Sequence, residues 1–271
     1  MNAVPSIPAV EFRHVSLAFD DKQILIDISF QLAHGGTLIL LGATGSGKSV
    51  LLKLVAGLLK PDSGEILVDG VDLVPIPEDR LGPFRTGMGI VFQEGALFDS
   101  LSVYENVAYP LREAGHKDES EIEGQVREML GFVEMEHALG KMPSELSGGM
   151  RRRVSVARAI VSQPHLMLYD SPTAGLDPVT ANTITLLLAK LRDVGHVSSI
   201  VVTHRLQDGY VLANFVYSPE KQALVPATTN GGPRRTPATR FMVLREGRIY
   251  FDGTAETLAA AGDAYLRQFL V

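Results

Sequence analysis

Hydrophobic residues along this chain follow two patterns, short continuous apolar runs and longer stretches with apolar positions at helical spacing. Short runs bounded by glycine or polar residues predict buried strands, whereas helical spacing over ten or more residues predicts amphipathic helices. The predicted strands cover residues 10–17, 24–32, 37–41, 88–92, 166–170 and 198–202. The predicted helices cover residues 48–58, 103–113, 120–132, 149–162 and 179–194.

The order of these elements predicts one α/β domain over residues 1–271. Strands and helices alternate through most of the chain, but helical spacing alone fills residues 98–162. We interpret that stretch as a helical subdomain inserted between core strands. A chain of this length can bury a sizeable core in a single domain.

A glycine-rich stretch between a predicted strand and a predicted helix has the phosphate-binding pattern G-x-x-x-x-G-K-S. Backbone N–H groups of such a loop point into one concavity, and the helix N-terminus behind it favours negative charge. Lys48 can reach the β- and γ-phosphates of a nucleotide, and the Ser49 hydroxyl can bind Mg²⁺. The alternative is an ordinary glycine-rich turn before a core helix. The stretch comprises Gly42, Ala43, Thr44, Gly45, Ser46, Gly47, Lys48 and Ser49.

Further polar residues lie at the ends of other predicted elements. Ser147, Gly148 and Gly149 precede a predicted helix and could present N–H groups to an anion, although Ser147 could equally be a simple N-cap. Asp170 ends an apolar strand and is suited to hold Mg²⁺ through water beside the phosphate loop. Three more candidates follow predicted strands or loops, namely Gln93, Asp177 and His204.

In this order the motifs resemble those of the ATP-binding-cassette (ABC) ATPase family, over nearly the whole chain. The resemblance implies an α/β fold of the P-loop NTPase type, with an antiparallel β-subdomain and an inserted helical subdomain. It implies ATP and Mg²⁺ as cofactors. It also implies a head-to-tail homodimer that holds two ATP molecules, each between the phosphate loop of one copy and the signature motif of the other.

The resemblance assigns nucleotide contacts to individual residues. Phe19 matches the aromatic residue that stacks on adenine, and residues 42–49, with Val50 beside them, match the Walker A loop. Residues 146–150 match the signature motif that closes over the partner's ATP, and Asp177 lies in the D-loop. Each of these residues is therefore expected to contact ATP.

Catalytic and metal-binding roles follow from the same resemblance. Gln93 matches the Q-loop glutamine, Asp170 the Walker B aspartate and His204 the switch histidine. Ser49, Gln93 and Asp170 are thereby expected to organise Mg²⁺. The expected catalytic set is Lys48, Gln93, Asp170, Ser171 and His204.

Position 171 departs from the family pattern, because active members carry glutamate after the Walker B aspartate and this chain carries serine. A serine hydroxyl is a poor general base, so slow hydrolysis is expected. Three explanations compete. The enzyme is naturally slow, with His204 and backbone groups orienting water; another carboxylate such as Glu134 or Glu136 substitutes; or the residue was altered to trap the ATP-bound dimer.

Composition and charge narrow the function. The formal net charge of −6 disfavours a nucleic-acid surface, and the absence of cysteine excludes a disulfide framework. Residues 1–10 contain no basic residue or long apolar core, so a signal peptide is not expected. No apolar run approaches the ~18–20 residues that span a bilayer. We therefore expect any membrane role to depend on partner subunits.

Two segments resemble the ATPase subunit of Mla-type lipid transporters, which work with membrane proteins carrying MCE domains. They are residues 92–113 and 142–145, and residues 265–270 also resemble that group's ending. The resemblance implies a motor subunit at the cytoplasmic side of the bacterial inner membrane, bound to a transmembrane permease and accompanied by an MCE-domain protein. The segment after Gln93 would receive the permease, although it also suits ordinary helix packing.

Two other functions stay open at this stage. One is an importer ATPase for a small polar solute, and the other is a weakly or non-hydrolysing ATP-binding switch, which Ser171 favours. Residues 217–240 form an additional proline-rich insertion relative to compact family members. Its composition predicts an exposed hairpin or flexible loop, either a tolerated insertion or a docking element.

Overall fold

The computed structural model describes residues 7–115, 118–227 and 239–268. Its largest sheet has six strands in the order β12-β11-β3-β8-β7-β6. From β6 through β11 the neighbours are parallel, and β12 pairs antiparallel with β11 at one edge. The strands are β3 (Thr37–Gly42), β6 (Met88–Val91), β7 (Leu166–Asp170), β8 (Ser198–Val202), β11 (Thr239–Arg245) and β12 (Arg248–Gly253).

Both faces of this sheet are buried, which explains why its strands are continuously apolar. Successive side chains point to opposite faces, so Ile39 and Leu41 lie in one hydrophobic cluster while Leu38 and Leu40 lie in the other. All four side chains are almost fully buried. Strand β3 therefore lies at the centre of a three-layer core, and its burial holds the loop that follows it in a fixed position.

A second, four-stranded antiparallel sheet has the order β2-β1-β4-β5. Its strands are β1 (Val10–Phe19), β2 (Lys22–Leu32), β4 (Ser63–Val68) and β5 (Val71–Asp72). Phe19 pairs with Lys22 across the turn between the first two strands. A separate hairpin of β9 (Phe215–Ser218) and β10 (Ala223–Pro226) belongs mostly to the additional segment 217–240, of which 228–238 lie outside the described residues.

Nine α-helices are present in the described ranges. They are α1 (Lys48–Val55), α2 (Gly82–Thr86), α3 (Val103–Ala114), α4 (Glu119–Phe132), α5 (Gly148–Ile160), α6 (Pro178–Gly195), α7 (Leu206–Asn214), α8 (Ala255–Ala260) and α9 (Ala264–Arg267). The three helices α3, α4 and α5 pack on one another between β6 and β7 in chain order. None of the helices in the described ranges is both long and apolar enough to cross a bilayer.

Helix α1 is shorter than the predicted span 48–58. It ends at Val55, and Gly57 adopts a left-handed conformation with φ of 64°. That conformation ends regular α-helix at little cost only in glycine. The prediction was therefore wrong by one turn, because the apolar residues after Gly57 continue the pattern without continuing the helix.

Candidate functional site

A cavity of about 350 Å³ lies at the carboxyl ends of β3, β7 and β8. Because these strands are parallel neighbours, the loops that follow them meet at one edge of the sheet. Ligands of open α/β sheets bind at such edges. The lining residues are Lys22, Ile24, Thr44, Gly45, Gly47, Lys48, Ser49, Val50, Gln93, Asp170, Ser171, Val202 and His204.

The loop after β3 is built to turn sharply into α1. Gly47 is the N-cap of α1 and has φ of 100°, and a Cβ atom there would lie 2.7 Å from the Leu25 side chain. Only glycine satisfies both conditions. The first turn of α1 has no acidic side chain, so its free N–H groups and the helix dipole favour an anion.

Lys48 places a positive charge inside this loop. Its side chain is buried, and Nζ donates hydrogen bonds to the carbonyl oxygens of Gly42 and Ala43, both at 2.8 Å. Burial lowers the pKa of Lys48 from its usual value, and the Asp170 carboxylate opposes that shift. The ammonium group is thus held in place beside the N–H groups of the loop.

The oxygen-bearing side chains of Ser49, Gln93 and Asp170 line the same cavity. Hydroxyl, amide and carboxylate oxygens suit Mg²⁺, which is often held by one or two carboxylates together with substrate phosphates. Among the described residues, no group of three or more His, Cys, Asp or Glu side chains could hold a metal ion by itself. The donor set therefore fits a cation that arrives with a phosphate ligand.

Ser171 is 3% exposed and has a left-handed backbone with φ of 51°. Its hydroxyl donates to Asp170 Oδ1 at 3.3 Å, and its N–H donates to the Val202 carbonyl at 2.9 Å. A hydroxyl that donates its only hydrogen to a carboxylate still carries no basic group. The serine therefore braces the Asp170 carboxylate and supplies no basic group of its own.

The structure gives no support to the suggestion that Glu134 or Glu136 supplies the missing carboxylate. The Glu134 carboxylate is exposed and pairs with Arg153 at 3.1 Å. In the described part of the molecule, neither glutamate lines the cavity. Both follow α4 in the helical subdomain.

His204 follows β8 and lines the same cavity as Lys48. Its pKa is lowered from the ordinary value of 6.5, first by burial and then by the Lys48 charge, and Asp170 opposes the shift. The ring is therefore neutral at pH 7, and it can accept or donate a hydrogen bond at either nitrogen.

We expect His204 to titrate with a midpoint below 6.5 in the nucleotide-free protein, because burial and Lys48 both disfavour the charged ring. The measurement is an NMR pH titration of the histidine side chains, with the signal assigned by its loss in His204→Gln. A midpoint of His204 at or above 6.5 would contradict the geometry.

Sequence reasoning missed three residues that line the cavity, Lys22, Ile24 and Val202. Lys22 and Ile24 of β2 line the cavity, although the sequence marked Lys22 only as part of a turn. Their contribution depends on packing between the antiparallel and parallel sheets. Phe19 is 45% exposed at the end of β1 and, within the described residues, does not line the cavity itself.

The signature residues lie at the start of α5. Ser147 is the N-cap and accepts a hydrogen bond from the Met150 N–H at 3.3 Å. A Cβ atom on Gly149 would lie 2.3 Å from the Thr180 methyl group, so α5 packs tightly on α6. In the described part of the chain, the cavity is not lined by Ser147, Gly148 or Gly149.

Asp177 is the N-cap of α6 and accepts hydrogen bonds from the backbone N–H groups of Val179 and Thr180. Hydrogen bonds, first from Thr180, hold the pKa of the Asp177 carboxyl below its usual value. The carboxylate is therefore ionised at neutral pH. In the part of the chain that the structure describes, Asp177 does not line the cavity.

A glycine-rich loop with its lysine and serine, at the carboxyl edge of a parallel sheet flanked by a helical insertion, defines the P-loop ATPases of the ATP-binding-cassette class. The sequence profile described as "ABC transporter" matches residues 25–174. The chain therefore belongs to the ABC transporter family, and it is the ATPase component of a transporter. The predicted family resemblance and the predicted fold class are both confirmed.

Similar proteins of known sequence span most of the chain. The "Intermembrane phospholipid transport system ATP-binding protein MlaF" of Haemophilus influenzae is 33% identical over 261 residues, which cover 96% of this chain and 89% of that protein. The "Probable ribonucleotide transport ATP-binding protein mkl" of Mycobacterium leprae is 34% identical over 267 residues, covering 98% of this chain and 70% of that protein.

Solved structures show the same fold. The ATP-binding cassette MJ0796, in a dimeric post-hydrolysis state bound to ADP and Pi, matches with a TM-score of 0.75 and 27% identity, covering 90% of this chain and 98% of that one. The cbiO1 protein of Clostridium perfringens, part of the ABC transporter complex cbiONQ, matches with a TM-score of 0.74 and 27% identity, covering 93% and 91%.

Proposed function

We propose that this chain is the ATP-hydrolysing motor subunit of a bacterial phospholipid transporter. It works at the cytoplasmic side of the inner membrane through a transmembrane permease, with an MCE-domain protein in the same complex. The cavity that gathers Lys48, Ser49, Gln93, Asp170 and His204 supports ATP as the substrate. Similarity to MlaF over 96% of the chain supports phospholipid as the cargo.

In this proposal the residues of the cavity divide the work of binding and orientation. The N–H groups of residues 42–49 and the Lys48 ammonium bind the phosphates of ATP. Ser49, Gln93 and Asp170 hold Mg²⁺, which supplies positive charge at the phosphate oxygens when it is bound. Phe19 and Val50 contact the rest of the nucleotide at the rim. The neutral His204 ring orients the attacking water toward the γ-phosphate.

The position of the signature residues supports a head-to-tail homodimer. Ser147, Gly148 and Gly149 offer N–H groups at the start of α5, yet in the described part of this chain they lie outside its own cavity. A second copy would bring them, together with Asp177, to the ATP of its partner. MJ0796, similar in fold, is dimeric in its solved structure.

An exposed aromatic pair supports a docking surface for the permease. Phe98 and Tyr109 have ring centroids 4.9 Å apart and are 43% and 40% exposed. The Arg158 guanidinium lies 5.5 Å from the Phe98 ring, in the wall of a cavity of about 510 Å³ between α3, α5 and β6. The exposed rings of Phe98 and Tyr109, with the Arg158 charge beside them, suit an amphipathic segment of a partner protein.

Replacing Tyr109 by alanine should reduce phospholipid transfer per ATP hydrolysed, by about 10-fold if the pair is a central anchor of that interface. ATP binding should stay unchanged, because Tyr109 does not line the nucleotide cavity. Both activities are measured in vesicles containing the full complex. Val194→Ala, also exposed but on α6, is the control. Unchanged transfer per ATP in Tyr109→Ala would place the permease elsewhere, with the hairpin of β9 and β10 as the next candidate.

Arg112 is a poorer choice for this test, although it lies on the same helix as Tyr109. Its guanidinium pairs with Glu119 of α4 at 2.8 Å and lies 5.7 Å from the Tyr104 ring. A charge reversal there would disturb the contact between α3 and α4. The resulting loss of transport would then have two causes.

Two alternatives each have one supporting observation. The name of the mkl relative, a probable ribonucleotide transport protein, favours a small polar cargo. Ser171 favours a slow ATP-binding switch, because the cavity lacks the usual glutamate. Phospholipid bound to the purified complex supports the main proposal against the first alternative, and multiple turnovers of ATP support it against the second.

A further inference from the structure

A buried carboxylate lies behind the nucleotide cavity without lining it. Asp208 of α7 is 4% exposed. Its oxygens accept hydrogen bonds from the hydroxyls of Thr173 at 2.5 Å, Thr203 at 3.3 Å and Thr185 at 3.4 Å. The Arg205 guanidinium lies 3.7 Å away and supplies the countercharge. A buried carboxylate is costly unless it is paired in this way, so its position is strongly determined.

The three hydroxyls belong to three different segments. Thr173 lies in the loop that joins Ser171 to Asp177, Thr203 immediately precedes His204, and Thr185 lies within α6. All three threonines are buried. Asp208 is thus a single anchor for the two loops that leave the carboxyl ends of β7 and β8, and for the helix beneath them.

The contact with Thr173 is the strongest of the three. A hydroxyl has one hydrogen to donate, and the Thr173 hydroxyl has Asp208 as its described acceptor. The Thr185 hydroxyl is shared with the Ala181 carbonyl at 3.1 Å, and the Thr203 hydroxyl is shared with the Arg205 carbonyl at 3.4 Å. The loop after β7 therefore depends on Asp208 more than α6 does.

Backbone hydrogen bonds connect Thr173 to both ends of the loop that follows β7. The Ser171 carbonyl accepts from the Ala174 N–H at 3.1 Å, and the Thr173 carbonyl accepts from the Leu176 N–H at 3.3 Å. The Ser171 N–H reaches across to Val202 at 2.9 Å. Displacement of Thr173 would thus move both Ser171 and the approach to Asp177.

We propose that Asp208 is a positioning residue that couples His204 to the loop carrying Ser171 and Asp177. This inference rests on the proposed ATP hydrolysis at the cavity. Within the described part of the chain, Asp208 does not line the cavity. It fixes the position of the loop that carries His204 relative to the loop that carries Ser171 and Asp177. A displacement of His204 therefore also displaces Asp177.

The test compares Asp208→Asn with Thr185→Val in the purified full chain. Asparagine keeps the shape of the side chain but loses the charge, and one end of its amide is a donor facing threonine hydroxyls that also donate. Thr185→Val removes the contact of Asp208 with α6, together with the hydrogen bond from Thr185 to the Ala181 carbonyl, and is the matched control. Thr173→Val is the second variant, because it removes the strongest loop contact without burying a new polar group.

The measurements are ATP affinity by calorimetry, single-turnover phosphate release at saturating ATP, and the His204 NMR signal. In Asp208→Asn and Thr173→Val we expect release to slow by roughly 10-fold or more, with ATP affinity within about 2-fold of wild type, because misplaced groups cost rate more than binding. The His204 signal should shift in Asp208→Asn. Thr185→Val should leave all three measurements near wild type.

Several outcomes would overturn the inference. If Thr185→Val slows release as much as Thr173→Val, the network is only structural. If Asp208→Asn fails to fold, normal release in Thr173→Val overturns the coupling by itself. A wild-type chain that neither binds nor hydrolyses ATP would instead refute the proposed function, and the two failures are thereby distinguished.

Discussion

Replacement of Lys48 by alanine is expected to weaken ATP binding by about 10- to 100-fold, the range for losing a hydrogen bond to a charged group. The Lys48 ammonium is held inside the phosphate loop by the carbonyls of Gly42 and Ala43. Alanine removes that charge and leaves the N–H groups of the loop. Calorimetric titration of the purified chain with Mg–ATP measures the change.

Lys53→Ala is the matched control for this variant. Lys53 lies on the same helix, α1, but is exposed and outside the cavity within the described residues. Its replacement removes an equal charge and should leave ATP affinity within about 2-fold of wild type, as for a surface charge. Equal effects of the two substitutions, or unchanged affinity in Lys48→Ala, would show that this loop does not bind the phosphates.

Replacement of Ser171 by glutamate is expected to raise steady-state ATP turnover by about 10-fold or more, the lower part of the range for a general base. Ser171 lines the cavity beside Asp170, so a glutamate at this position would place a carboxylate in the cavity as a general base for the proposed hydrolysis. The serine hydroxyl carries no such basic group. Phosphate release is measured with the partner subunits present.

Ser171→Gln is the control, because it has the size of glutamate without the carboxylate. Both variants carry the same cost at the left-handed backbone position and lose the hydrogen bond to Asp170. Any difference between them therefore reports the carboxylate alone. Equal turnover in the two variants, or a loss in both, would mean that the site works by water orientation through groups such as His204.

The sequence predicts the strands of the parallel sheet well because both faces of the sheet are buried. Each such strand is a continuous apolar run, which can be identified without knowing its neighbours. β3, β7 and β8 lie where the runs 37–41, 166–170 and 198–202 indicate. The phosphate loop also follows from local pattern, since Gly47 and Lys48 act within their own segment. These features need no knowledge of distant residues.

The features that were missed depend on contacts between distant segments. Lys22 enters the cavity only because the antiparallel sheet packs beside the phosphate loop, and no local pattern marks it. Strand β11 was not predicted, although it pairs with β3 across about two hundred residues of chain. Asp208 also has no motif of its own. Its three threonine partners become neighbours only when β7, β8 and α6 are assembled.

Purification of the intact complex from native membranes tests the central proposal most directly. The chain carries an affinity tag, and the co-purified proteins and lipids are identified by mass spectrometry. We expect two copies of this chain with a multi-spanning permease, an MCE-domain protein and bound phospholipid. ATP should drive phospholipid transfer by that complex in vesicles, and Lys48→Ala should abolish the transfer. A permease that co-purifies with a small-solute-binding protein and no phospholipid would contradict the proposal.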